Sequence, residues 1–335
     1  MKNIEYKVEV FTGIRPSGGL TIANAIGAVA PIVKLQKEGK ISRPMVFVAD
    51  LHALTDAEPK DTQKNVIDVV KDYISLGLDI DRSRIFVQSF LTQEIAELNL
   101  YLSRLVTLAE LMRVPTLKEK IKKGQNESNA SALLAMYPIM MASDILLQQS
   151  KYVPVGDDQV AHIEMTRVLG QKFNKKYGET FALPNVLSLG APVRVKALNG
   201  NGKMSKTDAG GAILLDDPIE ISLNKIKRAQ TAFAGERSDT LDALVIIGEF
   251  VSNEDEREKI SDIMKSHYSG ENVMGELKVI IMVSLERYLK DFQSKKAVLK
   301  DEEIFEKIKK DGVLAKKNAQ ETLQEVRKAM GLGFV

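Results

Sequence analysis

Four short apolar runs limit what this 335-residue chain can fold into: VEVFTG (8–13), RPMVFVAD (43–50), RIFVQS (84–89) and KYVPVG (151–156). The second and third are joined by QKNVIDVVKDYISLGL, where Val66, Ile67, Val70, Ile74 and Leu78 recur at helical spacing until Gly77 and its neighbours end the pattern. Strand, helix and strand alternating in this way predict a parallel sheet covered by helices. Ligands in such sheets sit beyond the carboxyl ends of the strands, so the loops opened by Gly13, Asp50 and Gly156 are expected to border one crevice.

After about residue 212 the pattern becomes helical throughout. LLDDPIEISLNKIKRA predicts a helix with Asp217 as N-cap, Pro218 in the first helical position and Glu220 closing a capping box. In AKKNAQETLQEVRKAMGLG, Ala319, Leu323, Val326 and Met330 share a face, and Gly331 suits a C-terminal cap. The expectation is two domains, an α/β domain over 1–212 and an all-helical domain over 213–335, with the last helix a candidate to pack back on the first.

A net charge of +2 does not single out a nucleic-acid binder, so local clusters must carry any contact with a polyanion. The absence of cysteine excludes disulfides, thiolate zinc sites and cysteine nucleophiles, and three scattered histidines (His52, His162, His267) argue against a metal held by protein side chains. His162 and His267 read as structural or solvent-exposed. The N-terminal MKNIEYKVEVFTG has no apolar leader and no apolar run approaches the roughly 18 residues of a membrane span, so no membrane is expected and the chain reads as cytoplasmic. Chemistry must run on lysine, aspartate, hydroxyls and backbone.

Two glycine-rich segments suit that chemistry. In TGIRPSGGLTIANAIGAV (12–29), a tight turn over Pro16–Gly19 leads from strand to helix, so free backbone N–H groups and the positive end of a helix dipole face the crevice. In GNGKMSKTDAGG (200–211), Lys203 and Lys206 are point charges suited to phosphate oxygens, and Ser205 and Thr207 add hydroxyls. Taken alone, the second segment fits a solvated surface loop equally well.

TGIRPSGGLTIAN resembles the first signature of the class I aminoacyl-tRNA synthetases, in the TxGN form of their tryptophan and tyrosine branch, and KMSKT resembles the second. MYPIMMASDILLQ (136–148), VPVGDDQVAHIEMTR (153–167), VADLHALT (48–55) and the terminal KAMGLG closely resemble the tryptophanyl-tRNA synthetase family, over nearly the whole chain. The resemblance implies a Rossmann-like nucleotide-binding domain and a helical anticodon-binding domain. It also implies activation of tryptophan by ATP, with Mg²⁺, to tryptophanyl-adenylate, transfer to the 2′-hydroxyl of the terminal adenosine of tRNA(Trp), and a homodimer.

Site roles follow from the resemblance position by position. Lys203 and Lys206 hold the phosphates and the departing pyrophosphate, Ser205 supports them, and Thr21 and Asn24 touch the phosphates or adenosine. Arg15, Ser17, Gly18, Ala23 and Met204 line the ATP site; Gly156 and Asp158 hold the ribose, while Asp157 reads as a surface charge or helix cap. Gln159 meets the α-amino group of the substrate. His52 is placed near its carboxylate, a satisfied structural histidine being the equal alternative.

Tyr137, Met141 and Asp144, spaced i, i+4, i+7, project from one helix face into one pocket. There Met141 offers a polarisable wall for an indole, and Asp144 accepts the indole N–H. Plain core packing is the alternative for Tyr137 and Met141, but a carboxylate inside PIMMASDILL needs a partner, because burying it unpaired costs several kcal/mol. Two departures from the family pattern stand out. Ala23 replaces the usual signature glycine, and Arg15 stands where relatives have glutamine, facing the substrate carboxylate or α-phosphate.

In RVPTLKEKIKKG, Arg113, Lys118, Lys120, Lys122 and Lys123 are candidates for acceptor-stem phosphates, against the alternative of a solvated basic helix. A tyrosyl enzyme, disfavoured by Met141, and a synthetase-like paralogue that binds without activating, conceivable through Ala23, are the competing functions.

Overall fold

The computed structural model describes residues 4–16, 18–55, 62–124, 131–156, 159–188, 193, 195–200, 202–208 and 210–333, with the side chains of 116, 120, 122–124 and 188 outside that description. Ser17, Asp157 and Asp158, and the side chains of Lys120, Lys122 and Lys123, therefore lie outside the described residues.

The centre is a five-stranded parallel sheet of β1 (Val8–Ile14), β2 (Met45–Val48), β3 (Arg84–Val87), β4 (Ser150–Val155) and β5 (Asn185–Ser188), in the order β3-β2-β1-β4-β5. The chain order reverses between β1 and β4, and the crevice outside such a switch point is where open α/β sheets bind ligands. Four strands fall on the four apolar runs. The fifth, NVLS, is four residues long, begins with Asn and ends with Ser at the sheet edge, and has too little apolar run to announce itself.

β1 runs on through Gly13 because a glycine is needed there: an added Cβ would stand 2.6 Å from the Phe47 ring, which stacks on Phe11 at 4.7 Å. The helix between β2 and β3 spans Thr62–Ser75 and stops before Gly77, whose φ of +106° no other residue adopts easily. Within the first signature the helix starts at Ile22, two residues later than the glycine turn suggests. It then widens into a π-helical turn over Ala25–Val29 before Ala30–Lys37.

After residue 212 the chain is helical, as its pattern indicates, but the first cap differs from expectation. Pro218 is extended (φ −51°, ψ 130°) and precedes the helix Ile219–Arg228, so Asp217 stands one residue too far out to cap it. Asp217 instead pairs with Lys225 at 3.2 Å. Gly331 does terminate the last helix, Asp301–Met330, in the left-handed conformation, donating its N–H to the Arg327 and Lys328 carbonyls.

That last helix lies against the sheet domain. Asp311 accepts from Ile85 N–H at 2.8 Å, Gln148 Nε2 donates to Ala315 O at 2.9 Å, and Thr322 Oγ1 donates to Leu147 O at 2.9 Å. Ala315, Ala319, Leu323 and Val326 are buried in one core with Phe11, Phe47, Phe86 and Leu146; Met330 packs at its margin. On the other sheet face, Val46, Val48 and Ile85 share a core with Ile281, Leu285 and Ile304 of the helical segment. Among the described residues no helix is long and apolar enough to cross a membrane.

Candidate active site

The two glycine-rich segments are stitched together by backbone. Ile22 N–H donates to Ile213 O and Leu215 N–H to Leu20 O, each at 2.9 Å, around an antiparallel bridge between Thr21 and Leu214. Lys203 is bridged to Lys196, and Met204 N–H donates to Val195 O at 3.0 Å. Lys203 thus stands on the return side of a short hairpin, and the segment that leaves the lysine loop, 213–215, lies on the first signature.

Lys206 leans toward the glycine turn: a Cβ added at Gly18, where φ is +72°, would lie 3.9 Å from its Nζ. Burial, and then the positive charge of Arg15, push the Lys206 ammonium below its usual range. Two cations converging on a backbone turn of this kind form a place that an anion relieves. Arg15 itself is held at the rim, donating from Nη2 to His52 O at 2.8 Å and to Thr55 Oγ1 at 3.2 Å. Lys203 and Ser205 are exposed, and Ser205 Oγ meets Thr207 Oγ1 at 3.0 Å.

Other residues of the first signature build the turn rather than face it. Thr21 is buried and donates from Oγ1 to Asn24 Oδ1 at 2.8 Å, while Asn24 N–H returns to Thr21 Oγ1 at 3.2 Å, a closed capping box. Asn24 is exposed beside it, and Ala23 packs half-buried against the core. The Met204 side chain is 4% exposed and belongs to the core. Only its backbone is left to meet a nucleotide. Gly156 follows β4 directly and accepts from Gln159 N–H at 2.9 Å; both are half-buried at the rim, where Gln159 precedes the helix Val160–Tyr177.

The helix Ala132–Leu147 presents Tyr137, half-buried Met141 and Asp144 along one side. Asp144 is 4% exposed, and its partners come from two strand ends: His52 Nε2 at 3.0 Å and Gln88 Nε2 at 2.8 Å, both on Oδ2. Gln88 also accepts His52 N–H at 3.1 Å, so the three groups lock one another. Burial pushes the Asp144 carboxyl above the ordinary range, opposed by the His52 and Gln88 hydrogen bonds. Oδ1 accepts no hydrogen bond from the described residues. Tyr137 OH meets His162 Nε2 at 3.0 Å, and the His52 ring stands edge-on to Tyr137 with centroids 6.5 Å apart.

The buried partner that Asp144 requires is therefore His52 together with Gln88, and Gln88 escaped the sequence reading. The available signal was a polar residue closing the buried run RIFVQ at a carboxyl strand end. His52 takes Asp144 with its Nε2, so this nitrogen reaches the pocket carboxylate. His162 and His267 are both buried; His267 Nε2 meets Glu236 O at 2.8 Å, and neither is a surface residue.

Arg113 and Lys118 are exposed, Lys118 on the helix Pro115–Gly124 that packs against the pocket helix.

A family model described as class I tRNA synthetases (W and Y) matches residues 2–329. A tryptophan–tRNA ligase from Caldanaerobacter subterraneus subsp. tengcongensis is 34% identical over 334 residues, covering 96% of this chain and 98% of the relative. Among solved structures, a tryptophanyl-tRNA synthetase from Campylobacter jejuni complexed with ADP and tryptophan aligns with a TM-score of 0.80 at 28% identity, covering 97% of this chain and 100% of that one. One from Mycoplasma pneumoniae aligns at 0.80 and 29%, covering 97% and 98%.

Proposed function

Because this chain belongs to the class I tRNA synthetases of the tryptophan and tyrosine group, on the tryptophan–tRNA ligase side, we propose how its crevice divides the work of that reaction. The activity is the ATP-dependent ligation of tryptophan to tRNA. The tryptophan carboxylate attacks the α-phosphorus of ATP and pyrophosphate leaves; the 2′-hydroxyl of the tRNA terminal adenosine then attacks the carbonyl of the tryptophanyl-adenylate, and AMP leaves. No covalent enzyme intermediate is required, so the protein contributes positioning and charge.

The observation that carries the assignment is a continuous path: Lys206 lies against the Gly18 turn beside Arg15, Arg15 holds the His52 carbonyl, and His52 holds Asp144. One crevice thus offers two cations at one end and a buried acceptor at the other. The triphosphate lies along Gly18, Arg15, Lys206 and Lys203, with Ser205 in a supporting hydrogen bond and Asn24 at the adenosine. Thr21 shapes the turn. The indole enters between Tyr137 and Met141, giving its N–H to Asp144, while Gln159 takes the α-amino group and Gly156 and Asp158 the ribose.

Mg²⁺ arrives as part of MgATP, bound to the phosphate oxygens of the nucleotide. Residues 1–212 form the catalytic domain and 213–335 the anticodon-binding domain, with the last helix docked on the sheet. Arg113 and Lys118 meet the acceptor stem. The enzyme works in the cytoplasm, where its tRNA and ATP are, as a homodimer; the exposed Leu100 and Leu108 give support, lying on helices that both pack on the pocket helix. Light scattering on the eluted protein tests the dimer, and a monomer mass at working concentration rejects it.

Amino-acid-dependent exchange of pyrophosphate into ATP, run with tryptophan, with tyrosine and with neither, tests the assignment. Exchange that requires tryptophan supports it. Exchange driven equally by tyrosine, or none at all, overturns it.

A further inference from the structure

Lys296 lies on the helix Met274–Ala297, in the helical part of the chain, yet its ammonium ends between Asp72 of the sheet domain and Asp216, just past the domain boundary. Nζ is 2.5 Å from Asp72 Oδ1 and 2.8 and 2.7 Å from the two carboxylate oxygens of Asp216. Asp72, 1% exposed, belongs to the helix Thr62–Ser75, and Asp216 lies in the turn just past Leu214, on the segment leaving the lysine loop. One turn back on the same helix, Gln293 Nε2 donates to Leu215 O and Asp217 O, both at 2.9 Å. Leu215 is the residue whose N–H closes on Leu20 of the first signature. One helix face therefore grips the segment that joins the two glycine-rich loops.

Asp216 is awkwardly placed for a phosphate site. A Cβ added at Gly19 would stand 3.4 Å from Asp216 Oδ2, so a carboxylate borders the glycine turn. Left unneutralised, that charge repels an incoming triphosphate. The ammonium that neutralises it comes from Lys296, which is only 16% exposed at its side chain.

We propose that Lys296 is a positioning residue for MgATP. Acting through Asp216, it masks the carboxylate at the edge of the phosphate turn, so that a residue of the helical domain sets the affinity of the nucleotide site. The inference rests on the reading of the Gly18–Gly19 turn and Lys206 as the triphosphate site.

Pyrophosphate exchange titrated separately with ATP and with tryptophan tests it on four variants: Lys296→Met, Lys296→Arg, Asp216→Asn and the Lys296→Met/Asp216→Asn double. Tryptophan affinity is read from the fluorescence of the ligand itself, since the chain contains no tryptophan. Lys296→Met is expected to raise the ATP KM by about tenfold, more at low salt, with tryptophan affinity changed by less than about twofold. Lys296→Arg should stay close to the wild type. Asp216→Asn, at an exposed position, should hold or lower the ATP KM, and the double variant should recover most of what Lys296→Met loses.

An ATP KM for Lys296→Met near that of the wild type overturns the proposal. So does a double variant no better than the single, an Asp216→Asn variant that loses ATP affinity, or a parallel loss of tryptophan binding. Lys206→Ala in the same assay separates the two levels: a silent Lys206→Ala removes the triphosphate reading itself, whereas a crippled one leaves that reading in place whatever Lys296 shows.

Discussion

His52 and Asp144, separated by 92 residues, meet at 3.0 Å between Nε2 and Oδ2. The contact joins the short helix Asp50–Ala53, just past the carboxyl end of β2, to the last turn of the pocket helix and, with Gln88, occupies one oxygen of the carboxylate. The other oxygen is the one our assignment gives to the indole.

That assignment is tested with a substrate analogue. Replacing the indole N–H by sulfur, as in benzothienylalanine, removes the donor while keeping the shape. The wild type is expected to prefer tryptophan by roughly thirtyfold in kcat/KM, the scale of a buried acceptor left unpaired. Asp144→Ala should shrink that ratio toward unity. An unchanged ratio would remove Asp144 from indole recognition.

Lys206→Ala should lower the rate of pyrophosphate exchange by about a hundredfold or more, because its contact strengthens as charge shifts to the leaving group. Tryptophan binding, followed by ligand fluorescence, should barely change. Equal losses in rate and in tryptophan affinity would contradict a role at the phosphates.

Asp72 carries a pH signature. Burial pushes its carboxyl from 3.8 up to about 6, against the lowering effect of Lys296. The native state therefore holds a proton that the unfolded chain has released between about pH 4 and pH 6, and this contribution to stability is lost as pH rises through that window. Asp72→Asn cannot titrate there. Denaturant unfolding of both proteins should show the stability of the wild type falling relative to the variant from pH 4 to pH 6. A difference that stays flat or rises rejects the shift.

Gly13→Ala probes the sheet. Its Cβ would lie 2.6 Å from the Phe47 ring, inside a stack that also holds Phe11 and Phe86. Overpacking of this kind costs about 1–3 kcal/mol, and the thermal midpoint should fall accordingly. An unchanged midpoint would mean that the ring moves aside freely.

For tRNA, Arg113→Glu with Lys118→Glu should raise the tRNA KM in aminoacylation, and the wild type should lose affinity steeply with salt. Pyrophosphate exchange, which needs no tRNA, should stay intact. Loss of both activities would place these residues in the fold instead.

Much of the architecture can be read from contiguous residues. Strands β1 to β4, the helix before Gly77, the helical character after residue 212 and the Gly331 cap each arise from periodicity or backbone preference within a few positions of chain. The same local logic puts Tyr137, Met141 and Asp144 on one helix side. It overreached where two local preferences competed. Pro218 satisfies its own φ while staying extended, which leaves Asp217 outside capping reach. It was silent on β5, a short edge strand whose identity depends on pairing with β4.

What the linear pattern could not supply is who meets whom across the fold. Gln88 and Asp144 are 56 residues apart, Asp216 and Lys296 80, and each pair exists because the sheet order and the helix docking carry both groups to one place. Met204, polarisable and set between two lysines, turns inward because the hairpin of its loop presents that side to the core. Propensity acts over one or two turns of chain, whereas burial and charge pairing are settled only when distant surfaces close on each other.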